Sequence, residues 1–340
     1  LDPLGGEFLI QVGSYMVVPY LMVLLPQNLA VSTLTAAALV FVVKFSVQAS
    51  SVIGGPLADR LGTRRMLVLG LLLRAAGMAA FALTRHVGCH FAASAVAGLG
   101  SGLYAPSTRG AIGSLTPSPL RTYAVSLRAV AANLGMATAP LAFLVLAAVD
   151  VDLVFLVSAG LFAALATHRA LPELPAQASV SLLTILKEVA RDRQWLAFGA
   201  LIALAWSLYG HLDSNVMVWA NERAGLGGMT AVAAGYAVLV AVLQMPVTRY
   251  VATRLRHWDV LTAGTALTAA GLLAVGMARS PVGAAVAVTL FALGATLLVP
   301  GADLVTSDVA PPKRVNTYFG AAGLFSTLAR PTARPWALPC

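Results

Sequence analysis

Apolar stretches of about 20 residues, the length a helix needs to cross roughly 30 Å of hydrocarbon, recur along the chain and constrain its fold more than any other feature. Read in order, they place eleven spans at about 6–25, 33–53, 66–84, 91–113, 124–147, 153–170, 195–219, 230–248, 259–278, 282–303 and 315–329. Lipid offers the backbone no hydrogen-bond partner, so each span must satisfy its own amides, which a helix does and a lone strand cannot. A transmembrane barrel would instead need alternating segments of about 10 residues. Composition agrees: 59% of the 340 residues are apolar and 10% are charged, against about 25% charged in a soluble domain. The expected fold is all-α, a multi-pass integral membrane protein.

Charge orients the spans. The connection 26–32 carries none, whereas the next holds Asp59, Arg60, Arg64 and Arg65. Cations then gather in alternate connections, at Arg121, at Lys187, Arg191 and Arg193, at Arg249, Arg254 and Arg256, and at Lys313 and Arg314. The intervening connections hold only Arg85, Arg223 and Arg279. By the positive-inside rule the richer set is cytoplasmic, and so is the N-terminus. The net charge of +9 is therefore topological and leaves no soluble basic face for nucleic acid. All but Lys44, Lys187 and Lys313 of the 22 basic residues are arginine, a bias of GC-rich bacterial genomes. Cys89 and Cys340 make neither a disulfide framework nor a Cys-x-x-Cys pair. No His-Glu-x-x-His, Gly-x-Ser-x-Gly or phosphate loop occurs, so neither enzyme, metal nor cofactor chemistry is expected. The run Gly98-Leu99-Gly100-Ser101-Gly102 lies inside a span and reads as a small-residue packing face.

The longest connection, with Pro172 and Pro175 and a mixed apolar and charged stretch over 180–191, reads as a linker with a short interfacial helix. Across it the chain repeats at an offset of 194. Ala58, Arg60 and Leu61 match Ala252, Arg254 and Leu255, and Gly70, Ala75 and Gly77 match Gly264, Ala269 and Gly271. Gly100, Pro106 and Pro117 match Gly294, Pro300 and Pro311. Two parallel halves follow, at 1–170 and 195–340 with the linker at 171–194 between them, an arrangement that in transporters puts the substrate near the bilayer midplane. On this ruler Cys340 corresponds to Leu146, so a twelfth span is expected to be missing and the eleventh incomplete, as in a fragment.

Between spans two and three lies Gly54-Gly55-Pro56-Leu57-Ala58-Asp59-Arg60-Leu61-Gly62-Thr63-Arg64-Arg65. This run reads as a tight turn with one acid and a basic cluster at the membrane face. It resembles the signature of the major facilitator superfamily, matched at Gly55, Leu57, Ala58, Asp59, Arg60, Gly62, Arg64 and Arg65. The resemblance implies two six-helix bundles and a gating role for Asp59, which would accept hydrogen bonds from basic residues or a helix N-terminus in one conformational state. In the fifth span Gly135, Ala139 and Pro140 resemble the signature of proton-driven multidrug antiporters, with Ala139 and Phe143 replacing two of its glycines. What the resemblance implies is a monomer in the bacterial cytoplasmic membrane that exports small, largely apolar compounds in exchange for protons. An uptake symporter and a non-transporting scaffold are the alternatives.

Ionisable groups inside spans are costly and mark pathways. Asp213, two residues after His211 in the seventh span, is the first candidate for the proton carrier, ahead of Glu7 and Asp303 near cytoplasmic ends. Lys44 and Arg74 are cations at membrane depth, expected to pair, to snorkel or to attract an acidic compound. Arg109 and Arg128 are read as anchors of the inner face, the tryptophans as interfacial anchors, and Trp206 as core.

Overall fold

A computed structural model describes residues 3–17, 32–167, 187, 191–211, 216–252 and 254–328. Among these are eleven helices and no strand: α1 Pro3–Tyr15, α2 Thr33–Leu61, α3 Thr63–Leu83, α4 Val87–Leu115, α5 Ser118–Ala147, α6 Val151–Ala166, α7 Arg193–Gly210, α8 Met217–Ala252, α9 His257–Met277, α10 Pro281–Val309 and α11 Val315–Leu328. Each corresponds to one expected span. Five are long and apolar enough to cross a membrane, within Ala38–Leu61, Thr63–Leu83, Pro119–Ala147, His257–Met277 and Val282–Val309. Large apolar side chains such as Phe41, Leu141 and Leu273 lie on their outer surfaces, as suits a lipid solvent.

Two boundaries differ from the sequence expectation. The Gly54–Arg65 run is not a loop, because α2 continues through Pro56 to Leu61 and α3 starts at Thr63. Gly62 alone makes the turn, at φ 99, a conformation that costs a side-chain-bearing residue energy. The seventh span ends at Gly210, and Trp219 belongs to α8. Trp195, expected at an interface, is buried against Phe198 instead. The interfacial helix expected over 180–191 lies outside the described residues except at Lys187 and Arg191, as does the tail from 329.

The chain forms two compact units, one of Leu1–Asp192 with Thr306–Leu324, the other of Arg193–Val305 with Phe325–Cys340. In the first unit the core runs from Ile10 and Leu39 through Leu71, Phe81 and Ala97 to Phe155 and Phe162. α3 and α4 pack closely because glycines face backbone: a Cβ on Gly70 would stand 2.7 Å from the Gly100 carbonyl oxygen, and one on Gly77 would stand 2.7 Å from the Ala97 Cβ. In the second unit the core gathers Val216, Tyr236, Val240, Val275 and Phe291. There a Cβ on Gly264 would stand 2.5 Å from the Leu298 amide nitrogen, and one on Gly271 would stand 2.5 Å from that of Phe291. Leu298 and Phe291 are the offset-194 counterparts of Tyr104 and Ala97, so each unit makes the same close approaches in the same register. Without a hydrophobic force between helices in lipid, such small-residue seams are a main source of association.

Candidate functional site

The signature residues assemble around the start of α11. That helix needs help at its N-terminus. The residues before it, Pro311-Pro312-Lys313-Arg314, offer no Ser, Thr, Asp or Asn to accept its first amides. Asp59, at the end of α2, supplies the missing acceptor. Its Oδ1 accepts from the Asn316 amide at 3.3 Å and Asn316 Nδ2 at 2.8 Å, and its Oδ2 from the Thr317 amide at 2.8 Å and Thr317 Oγ1 at 2.5 Å. Asn316 Nδ2 also donates to Thr63 Oγ1 at 3.2 Å.

Only 7% of Asp59 is exposed. Burying a carboxylate costs several kcal/mol, and hydrogen bonds to a charged group return about 1.5–3 kcal/mol each. Four such bonds plus the positive helix end offset much of that cost. The balance depends on α11 being there: without it the carboxylate is stable only in water.

The other signature residues make room for this contact. A Cβ on Gly55 would lie 2.9 Å from the Thr317 Cα, so only glycine admits α11 there. Ala58 is buried with Met66 and Leu103, whereas Leu57 is half-buried against them. Arg60 and Arg65 are exposed and Arg64 is half-buried. The partner of Asp59 is therefore the helix end, not the basic cluster. Next to it, Tyr318 donates its hydroxyl to Asp192 Oδ2 at 2.6 Å, so carboxylates hold residues on successive positions of one helical turn. The sequence signal for Asn316 and Thr317 was the uncapped start of α11.

A second polar cluster lies inside the first unit, built from α1, α3, α4, α5 and α6. Glu7 Oε1 accepts from Gln11 Nε2 at 3.0 Å and from Arg128 Nη1 at 3.3 Å. Glu7 is 4% exposed and Arg128 is half-buried beside it, so Arg128 faces an internal carboxylate and is not solely the surface anchor expected. Arg74, midway along α3, is 5% exposed and does not snorkel. Its Nη2 donates to Ser14 Oγ and its guanidinium lies 4.0 Å over the Phe162 ring. Its Nε has no acceptor among the described residues. Tyr104 lies within electrostatic reach of Glu7, Arg74 and Arg128. An arginine at the centre of a span costs roughly 2.5–3.5 kcal/mol or more, which a desolvated cation–π contact of about 2 kcal/mol offsets only in part.

The remaining candidates are dispersed. Asp213 lies outside the described residues, and His211 is half-buried just past α7. Asp303 is 6% exposed on α10. Lys44 is exposed on α2 beside Phe41 and Phe45. Gly135 brings α5 onto α1, since a Cβ there would stand 2.6 Å from the Phe8 carbonyl oxygen. Ala139 is fully buried in the same core, and Pro140 continues α5. In the second unit Trp206 packs edge-on to Tyr209, whose hydroxyl accepts from Tyr236 at 3.1 Å. Outside the apolar spans Arg85 bonds Asp152 at 3.0 and 2.5 Å, which raises the guanidinium above its ordinary pKa.

A family model described as Major Facilitator Superfamily matches residues 4–333. An MFS-type transporter of Mycobacterium tuberculosis is 29% identical over 307 residues, 86% of this chain and 72% of that protein. The multidrug resistance protein MdtH of Cronobacter sakazakii is 26% identical over 323 residues, 94% of this chain and 80% of that protein. The crystal structure of the human organic anion transporter MFSD10 superposes with TM-score 0.80 at 19% identity, over 96% of this chain and 89% of that one. FucP in its outward conformation superposes with TM-score 0.77 at 16% identity, over 96% and 87%.

Proposed function

The chain belongs to the Major Facilitator Superfamily, and from that premise we propose that it exports small, largely apolar compounds in exchange for protons by alternating access. Family and fold make it a multi-pass membrane transporter; the direction, the proton and the substrate class are the proposal. The multidrug resistance name of the MdtH relatives supports the drug-like substrate.

One observation carries the mechanism: the Asp59 carboxylate is buried against the first turn of α11, which it caps. A group that is stable either against a helix end or in water, and in no intermediate place, favours two discrete arrangements over a continuum. In this reading Asp59 latches one of them, with Gly55 and Gly62 giving the close approach and the turn that the latch needs. The protein is a monomer in the bacterial cytoplasmic membrane with its N-terminus inside, and the two bundles at 1–170 and 195–340 alternate about the substrate.

Glu7 is held by both Gln11 and Arg128, which favours a fixed counter-ion over a carrier that must release its proton each cycle. The carrier is therefore sought at Asp213 first and then at buried Asp303. The test is flux in proteoliposomes with an imposed pH gradient. Compound movement against the direction of proton flow supports exchange, whereas movement of both in one direction would replace it with symport.

A further inference from the structure

We propose that the cluster around Arg74 binds the carboxylate of an amphipathic organic acid, an apolar body bearing one anionic group. The proposal rests on the export reading and narrows its substrate class.

Among the described residues Arg74 has no carboxylate of its own. Buried Arg74 and half-buried Arg128 lie near one carboxylate among the described residues, and that group, Glu7, is already engaged by Arg128 and Gln11. Among the described residues, Glu7 is the carboxylate within electrostatic reach of Arg74, beside the Tyr104 phenol. Arg74 spends Nη2 on Ser14 while its buried Nε has no acceptor among the described residues. A carboxylate supplies both missing elements at once, charge and an acceptor on the guanidinium edge, in the planar fork geometry that distinguishes arginine from lysine.

The surroundings suit an amphipathic acid. The Phe162 ring under the guanidinium fixes its plane. Gln11, Ser14 and Tyr104 beside it are half-buried.

Packing does not require an arginine at this place. The offset-194 counterpart of Arg74 is Thr268, which is fully buried in the equivalent helix seam and bonds its own helix at the Gly264 carbonyl at 2.8 Å. The second unit closes that seam with a neutral, self-satisfied residue. The charge in the first unit therefore goes beyond what the seam requires.

The experiment measures binding to the protein in lipid nanodiscs, by intrinsic tryptophan fluorescence and thermal shift. The probes are 4-phenylbutyrate, at a pH where it is ionised, and its neutral carboxamide. The wild type should prefer the acid by at least about tenfold. Arg74→Gln should remove that preference while leaving carboxamide binding unchanged, and Arg74→Lys should keep part of it. Should Arg74→Gln fail to fold, the wild-type preference and the Arg74→Lys variant still decide. Equal affinity of the wild type for both probes, or equal losses for both in Arg74→Gln, overturns the proposal. Gradient-driven export of a neutral compound with no acid preference would remove this site and leave the export reading standing. Arg74-dependent acid binding without gradient-driven export would do the reverse.

Discussion

Asp59 is buried, charged and bonded by four donors that all come from two consecutive residues of α11. Asp59→Asn keeps the shape but turns one acceptor oxygen into a donor that faces other donors. Losing two charge-assisted bonds removes about 3 kcal/mol or more from the latched state, on the order of a hundredfold in its population. We expect gradient-driven flux to fall at least about tenfold, with probe affinity changed less than about twofold. Parallel flux and binding measurements check this, and a matching fall in affinity would make Asp59 a ligand and not a gate. At Gly62 the backbone sits at φ 99. Gly62→Ala should cost about 1–2 kcal/mol, read as a lower Tm in detergent, with transport per folded molecule retained.

The helix seams carry the next prediction, because their glycines face backbone and not movable side chains. Gly70→Leu and Gly264→Leu occupy the same register in the two units, and each would drive a side chain into its partner helix. Overpacking of this kind costs about 1–3 kcal/mol and often more. Both variants should lose a comparable share of Tm. Gly160 in α6 has nothing within 4 Å of an added Cβ, so Gly160→Ala should be neutral or slightly stabilising through helix propensity. A large loss in Gly160→Ala, or a loss in only one of the paired glycine variants, would contradict the shared packing of the repeat. α11 illustrates a different dependence: its first turn is capped by another helix, so its start is stable only while α2 lies beside it.

For the whole molecule, proton exchange requires a carboxyl group that meets each side of the membrane in turn. Asp213→Asn should abolish gradient-driven flux while preserving downhill exchange of the compound, since only the coupling step is lost. Asp303→Asn, tested in parallel, should retain coupling if Asp213 is the carrier. Full coupling in Asp213→Asn together with its loss in Asp303→Asn would move the role to α10. Glu7→Gln should instead unfold the first unit more readily than it alters coupling, because it takes from Arg128 the carboxylate charge it meets at 3.3 Å inside the unit. Thermal unfolding and flux on the same preparation separate the two effects.

Much of this protein follows from the sequence alone. Span length and hydropathy fix a helical membrane fold because lipid leaves no other way to satisfy the backbone. The offset of 194 between paired glycines set the register of both seams, since only glycine admits a helix that close, and the Gly55 to Arg65 signature named the family. The tertiary structure decided which group answers each charge. Asp59 could have turned to the arginines beside it in sequence, yet it caps a helix that begins 256 residues later. Arg128 read as a surface anchor and Arg74 as a snorkelling cation, yet both lie inside the first unit. Periodicity specifies which face of a helix is apolar, but the cost of a buried charge is settled by partners brought from distant segments, and those partners exist only once the helices are packed.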